Sequence, residues 1–212
     1  MPVELYNYEY SVPCRVVRMV AQHIGLPLAL KSVDIFGCVH QKHDLMKVNP
    51  AHTTPSIVDG SLTLFESRAI ITYLVDKYAP GSPLYPRNVE KRATIDSLLF
   101  FDIGTLQRSL SNFFFPIFLD SRNVSQTACR AMVHALRELS NLLRDNRYLT
   151  GSEITLADIA VAGSLSLAHM VGFKMNQFPK VRDYYAALKR DLPYFRQINV
   201  VQVSTLKCFA RA

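Results

Sequence analysis

The chain has 212 residues, 49% of them apolar and 19% charged, a balance that supports a packed core and excludes disordered, collagen-like and coiled-coil chains. That length corresponds to one large domain or two small ones. With 24 Lys and Arg against 17 Asp and Glu the formal charge is +7, so the surface should attract anions, from carboxylate metabolites to nucleic acid or acidic lipid. Cys14, Cys38, Cys129 and Cys208 lie far apart and form neither a C-x-x-C pair nor a ligand cluster with zinc spacing, which argues against a disulfide scaffold or a zinc finger. The first residues, Met1 to Asn7, carry no basic stretch followed by an apolar run, so no signal peptide is expected and a reducing cytoplasm is the expected location. The stretch from Ile154 to Phe173 is mostly apolar but holds Asp158, Gly163 and His169. It is expected to be a buried core helix, and no membrane partner is expected.

Val3 to Tyr6 reads as a short strand. From Pro13 to Ile24 the apolar residues Val16, Val17, Val20, Ala21 and Ile24 recur at helical spacing, with Gly25 placed to end the helix. Leu28 to Ile35 alternates as a second strand, which after an intervening helix is most simply parallel to the first. A polar loop with His40 and His43 follows. Ser56-Ile57-Val58 and Leu62 to Phe65 flank Asp59-Gly60-Ser61, the signal for an antiparallel hairpin. A helix from about Ser67 to Tyr78 presents Ala69, Ile70, Tyr73 and Leu74 as one stripe. Three prolines between Ala79 and Pro86 then mark a boundary. Val89 to Leu110, Ser125 to Arg144, Thr155 to Met170 and Lys180 to Arg190 all read as helices, and Thr155-Leu156-Ala157-Asp158 has the form of a capping box. The expected organisation is a mixed-sheet domain over 1–79, a linker over 80–88 and an all-helical domain over 89–212.

Five segments in register carry a resemblance. Ser11-Val12-Pro13-Cys14-Arg15, Asn49 to Pro55, Glu66 to Ile70, Phe101 to Leu106 and Leu156 to Ala160 resemble motifs of the cytosolic glutathione S-transferases, and most closely those of the insect delta and epsilon classes. The likeness runs over essentially the whole chain. It implies an α+β, thioredoxin-like N-terminal domain (β-α-β-α-β-β-α), an all-α C-terminal domain, and transfer of the glutathione thiol to an electrophile, with glutathione as co-substrate.

The thiol of glutathione should ionise near the reference cysteine value of about 8.5, so activation means stabilising its thiolate. The resemblance gives that catalytic role to Ser11, whose hydroxyl can donate to sulfur at the positive end of the first helix; a serine there also suits plain helix capping. For Pro55 the resemblance implies a cis peptide bond, and it implies that the backbone of Thr54, beside Thr53, pairs with the cysteinyl residue of glutathione as an added strand would. Ser67 at a helix start can hold the γ-glutamyl carboxylate, Glu66 its ammonium, and Arg68 adds a cation. His52 and His40 match positions that contact the glycyl carboxylate. Around His40 the pattern is broken, with Cys38-Val39 before it and His43 where the family has proline. His40 and His43 have no third ligand nearby in sequence, and no metal is expected.

Hydrophobic co-substrates are implied to bind between the domains. In the Phe113 to Phe118 run, Phe115 and Phe118 fall at pocket-lining positions, and Val12, Gln107, Leu110 and Phe209 could complete the lining. The family commonly has a tryptophan before the Glu-Ser pair; Phe65 stands there. The basic surface suits attraction of anionic glutathione. No nucleic-acid motif accompanies it, and no nucleic-acid partner is expected. The expected protein is a homodimeric detoxification transferase for small hydrophobic electrophiles. The alternatives are a non-catalytic binding protein for hydrophobic ligands and a glutathione-dependent peroxidase or isomerase.

Overall fold

The computed structural model describes residues 2–33, 45–118, 124–170 and 173–199. The chain divides into two compact units, Met1–Ser82 and Pro83–Ala212.

In the first unit, β1 (Val3–Asn7), β2 (Leu28–Ser32), β3 (Ser56–Asp59) and β4 (Leu62–Phe65) form a four-stranded sheet in the order β2-β1-β3-β4. β1 pairs parallel with β2 and antiparallel with β3, and β3 pairs antiparallel with β4. Val3, Leu5 and Asn7 of β1 are buried in alternation, as the two-residue period of a strand requires. The hairpin turns at Gly60 with φ 63°, a conformation that costs glycine little. α1 (Val12–His23) and α2 (Ser67–Tyr78) pack on one another, and Val16, Val17 and Val20 of α1 and Ile70, Ile71 and Leu74 of α2 are fully buried. α1 ends as Gly25 was expected to end it: Gly25 takes φ 70° and the Leu26 N–H donates to the Ala21 carbonyl at 2.9 Å, closing a Schellman-type cap. This is the mixed, thioredoxin-like sheet that the resemblance implies. A helical turn stands at 45–48; the expected end of the second strand, Asp34–Ile35, and the loop carrying His40 and His43 lie outside the described residues.

The second unit is helical: α3 (Val89–Phe101), α4 (Arg108–Phe118), α5 (Gln126–Leu143), α6 (Leu156–Met170), α7 (Pro179–Asp191) and α8 (Phe195–Asn199). The continuous helix expected from Val89 to Leu110 is interrupted by a π-helical turn at Asp102–Gln107. Its buried positions explain why. Asp102, Leu106, Leu110 and Phe114 are all fully buried at steps of four residues, and each such step in an α-helix overshoots a full turn by about 40°. A wider turn offsets that drift and keeps the row facing inward. Helical periodicity alone does not reveal it.

α6 is the centre of this unit, buried from Leu156 to Ala168. Its start is fixed by Asp158, whose Oδ2 accepts from the Thr155 N–H at 2.8 Å and the Thr155 hydroxyl at 2.9 Å, while Oδ1 accepts from the Leu149 N–H at 2.9 Å and the Tyr184 hydroxyl at 2.8 Å. The carboxylate thus reaches back as a capping box requires. The threonine hydroxyl donates to that carboxylate and not along the helix. Among the described residues no helix is long and apolar enough to cross a membrane.

Candidate active site

The register of the sheet brings three of the sequence motifs to one end of it. Tyr6 stands opposite Ser56, and Ser56 opposite Phe65. The C-terminal end of β1, the start of β3 and the end of β4 therefore share an edge of the first unit. From that edge the chain leads into Ser11 and α1, arrives from Thr53-Thr54-Pro55, and continues through Glu66 into Ser67, Arg68 and α2. Two helices thus begin where an extended segment arrives, and their N-terminal N–H groups and dipoles favour an anion there.

Ser11 is the N-cap of α1, with extended backbone at φ −71° and ψ 119°, and its Oγ accepts from the Cys14 N–H at 3.4 Å. Pro13 brings no N–H to this first turn, and Val12 N–H has no partner among the described residues. A serine hydroxyl that accepts one bond still has its own hydrogen to give. Capping and donation to a ligand are therefore compatible at Ser11, and acceptance from an N–H polarises the hydroxyl as a donor. Cys14, one turn further in, is fully buried and its Sγ accepts from the Tyr8 N–H at 3.5 Å.

The Thr54–Pro55 peptide bond is cis. Pro55 is buried, Thr53 is exposed, and Thr54 Oγ1 is buried without a hydrogen-bond partner among the described residues. His52 is exposed at φ 54°, its N–H donating to the Asn49 carbonyl at 3.0 Å. The whole loop is organised by a residue that no sequence motif assigned a role. Asn49 is fully buried; its amide nitrogen lies 3.0 Å from the Thr53 carbonyl, Thr53 Oγ1 and Ser56 Oγ, and its Oδ1 accepts from the Ala51 N–H at 2.8 Å. One side chain therefore joins both ends of the segment that presents Thr54.

At α2, Glu66 is the N-cap residue but makes no side-chain cap bond, and it holds φ 68° and ψ 106°. A non-glycine residue there is strained, and such strain is retained where the surroundings fix it for another purpose. Glu66 is exposed, so its carboxylate is available to a ligand. Ser67 and Arg68 are buried, and Arg68 Nη1 donates to Ser67 Oγ at 3.2 Å. Ser67, like Ser11, accepts one protein donor and keeps a hydroxyl hydrogen.

The residues expected to line a hydrophobic pocket fare differently. Val12 and Leu110 are 5% and 0% exposed and act as core side chains in this conformation. Gln107 is half-buried at the end of the π-helical turn, and Phe115 is 51% exposed on α4. The Phe118 side chain, Phe209 and His40 lie outside the described residues. Phe113, Phe114 and Phe173 make edge contacts at centroid distances of 5.0 to 6.3 Å, so two rings of the phenylalanine run belong to a packed aromatic cluster. A second residue without a role from sequence is Arg15, fully buried on α1. An arginine within the buried run Cys14 to Val17 is the signal that marks it, because a guanidinium is rarely buried without partners.

Residues 5–83 match the family model described as glutathione S-transferase, N-terminal domain, and residues 122–187 that described as glutathione S-transferase, C-terminal domain. Among solved structures, a delta-class glutathione transferase of Nilaparvata lugens is 30% identical, with a TM-score of 0.88 over 99% of each chain. The Bombyx mori glutathione transferase BmGSTD1 is 31% identical at a TM-score of 0.90, covering 99% of this chain and 98% of its own. An epsilon-class glutathione S-transferase of Musca domestica is 28% identical at a TM-score of 0.85, over 99% and 97%. With two helix starts and a cis-proline loop meeting at one sheet edge, and with both family domains in order along it, the chain belongs to the glutathione S-transferase family and is an enzyme of that kind.

Proposed function

We propose that the sheet edge of the first unit binds glutathione and that Ser11 stabilises its thiolate for attack on a small hydrophobic electrophile. The thiol proton passes to water, the thiolate sulfur forms a bond to the electrophilic carbon, and the leaving group departs with the electron pair of the bond it breaks. The observation that carries this reading is the meeting of Ser11, the Thr54–Pro55 loop and the Glu66-Ser67-Arg68 start of α2 at one edge. In it the Thr54 backbone, with Thr53 beside it, pairs with the cysteinyl residue; Ser67 and Arg68 hold the γ-glutamyl carboxylate; Glu66 accepts from its ammonium; and His52, with His40, meets the glycyl carboxylate. Val12, Gln107, Leu110, Phe115, Phe118 and Phe209 are the residues to which electrophile binding is assigned in this proposal. The enzyme works as a cytoplasmic homodimer of detoxification type.

The bond from the Cys14 N–H to Ser11 Oγ favours one second reading, in which Ser11 is a cap only and the protein binds hydrophobic ligands without turnover. Conjugation of glutathione to a nitroaryl chloride separates the two. An ionic hydrogen bond of about 1.5 to 3 kcal/mol corresponds to a loss of roughly 10- to 100-fold in kcat/KM for Ser11→Ala at neutral pH. Unchanged turnover in that variant overturns the role of Ser11, and absence of turnover in the unaltered protein supports the binding reading.

A further inference from the structure

Ser11 can act on a thiolate only if its hydroxyl is held in one place, and beside its backbone bonds one side chain grips the turn that leads into it. The Ser11 N–H donates to the Tyr8 carbonyl at 3.0 Å. On the other side of the same peptide unit, the Tyr10 carbonyl accepts from Arg15 Nη1 at 2.8 Å, and the Glu9 carbonyl lies 3.5 Å from the same nitrogen. The Ser11 carbonyl accepts from the Arg15 backbone N–H at 3.0 Å. The peptide unit leading into Ser11 is thus fixed at both its polar ends; the Arg15 guanidinium holds the carbonyl before the Ser11 α-carbon, and the Arg15 backbone N–H the carbonyl after it. Arg15 is fully buried, so its guanidinium depends on these protein acceptors in place of water.

We propose that Arg15 is a positioning residue for thiolate formation: its buried guanidinium locks the turn before α1 so that the Ser11 hydroxyl faces the glutathione sulfur. Its charge, four residues into α1, adds to the positive field of the helix start. This rests on the reading of Ser11 given above. The guanidinium touches no reacting atom; it acts through the Tyr10–Ser11 peptide. A lysine keeps the charge but not the planar fork, and a methionine keeps the length but neither.

The test is the thiolate absorbance of bound glutathione against pH, recorded for the unaltered protein, Ser11→Ala, Arg15→Lys and Arg15→Met, with kcat and KM at each pH. The titratable or charged groups of the elements meeting here, Tyr8, Glu9 and Tyr10 in the loop, Cys14 on α1, and Glu66 and Arg68 at the start of α2, are retained in both Arg15 variants. The expected result is a thiol pKa raised by about one unit in Arg15→Met and by about half that in Arg15→Lys, with kcat/KM about tenfold lower in Arg15→Met at pH 6.5 and recovering above about pH 9, where the thiol ionises unaided. A purely structural arginine lowers activity equally at every pH and leaves the thiol pKa where it was. That result overturns the proposal, and Arg15→Lys alone decides it if Arg15→Met does not fold. If the unaltered protein already shows a thiol pKa near 8.5, or Ser11→Ala shows the same lowered value, it is the reading of Ser11 that fails.

Discussion

The two units carry charge very differently. Met1–Ser82 has seven Lys and Arg and seven Asp and Glu, whereas Pro83–Ala212 has 17 against 10. All of the net positive charge therefore belongs to the helical unit. The unit proposed to bind an anionic peptide is neutral overall and has to recognise it through aimed donors: two helix starts, two serine hydroxyls and one exposed backbone segment. General attraction by a basic surface, expected from the composition, does not describe that unit. The buried polar groups differ as well. In the first unit Arg15, Asn49, Ser67 and Arg68 lie in or beside the segments proposed to face the ligand, whereas in the second Asp158 ties α6 to the Leu149 backbone and to Tyr184 of α7.

If that contrast holds, substitutions should separate stability from recognition. The largest stability loss is expected for Asp158→Ala, which strands the Thr155 and Leu149 N–H groups and the Tyr184 hydroxyl in the core; roughly 3 to 5 kcal/mol should be lost by calorimetry. Asn49→Ala should cost roughly 2 to 3 kcal/mol and, unlike the change at Asp158, also raise KM for glutathione several-fold in whatever fraction folds, because the Thr53–Thr54 segment loses its tie. A KM unchanged by Asn49→Ala would show that the loop holds its shape without it. Glu66→Gly should move the two properties in opposite directions. Relief at φ 68° should gain up to about 1 kcal/mol, while loss of the carboxylate should weaken glutathione binding about tenfold by titration calorimetry.

The smallest effect concerns acid. Arg190 foremost, then Tyr148 and Arg147 against a burial penalty, hold the Asp191 carboxyl well below its ordinary value of 3.8. A depressed folded pKa contributes stability that is present above the unfolded value and is lost as pH falls through the folded one. Asp191→Asn should therefore lower the melting temperature slightly at neutral pH and flatten its fall below about pH 4, so that the two proteins converge in strong acid. An equally steep fall in the variant would show that Asp191 is not the group titrating.

Local patterns in the sequence located most of the fold. The D-G signal placed the β3–β4 hairpin, and the apolar stripe placed α2 at Ser67–Tyr78, because both depend on neighbours a few residues apart. The π-helical turn at Asp102–Gln107 was not legible, since its cause is the inner row it serves. Family motifs pointed to Ser11, Pro55 and Ser67, but sequence gave Asn49 and Arg15 no part. The bonds their side chains donate go to backbone carbonyls and hydroxyls four to seven residues away, distances that carry no periodicity, and only burial reveals them. His40 and Phe209 lie outside the described residues.

If Ser11 stabilises the thiolate, it lowers the pKa of bound glutathione. The most direct test is an ultraviolet difference titration of the thiolate, the unaltered protein beside Ser11→Ala. A thiol pKa roughly 1 to 2 units below 8.5 is expected in the unaltered protein, with a return towards 8.5 in the variant. The same pKa in both proteins would contradict it.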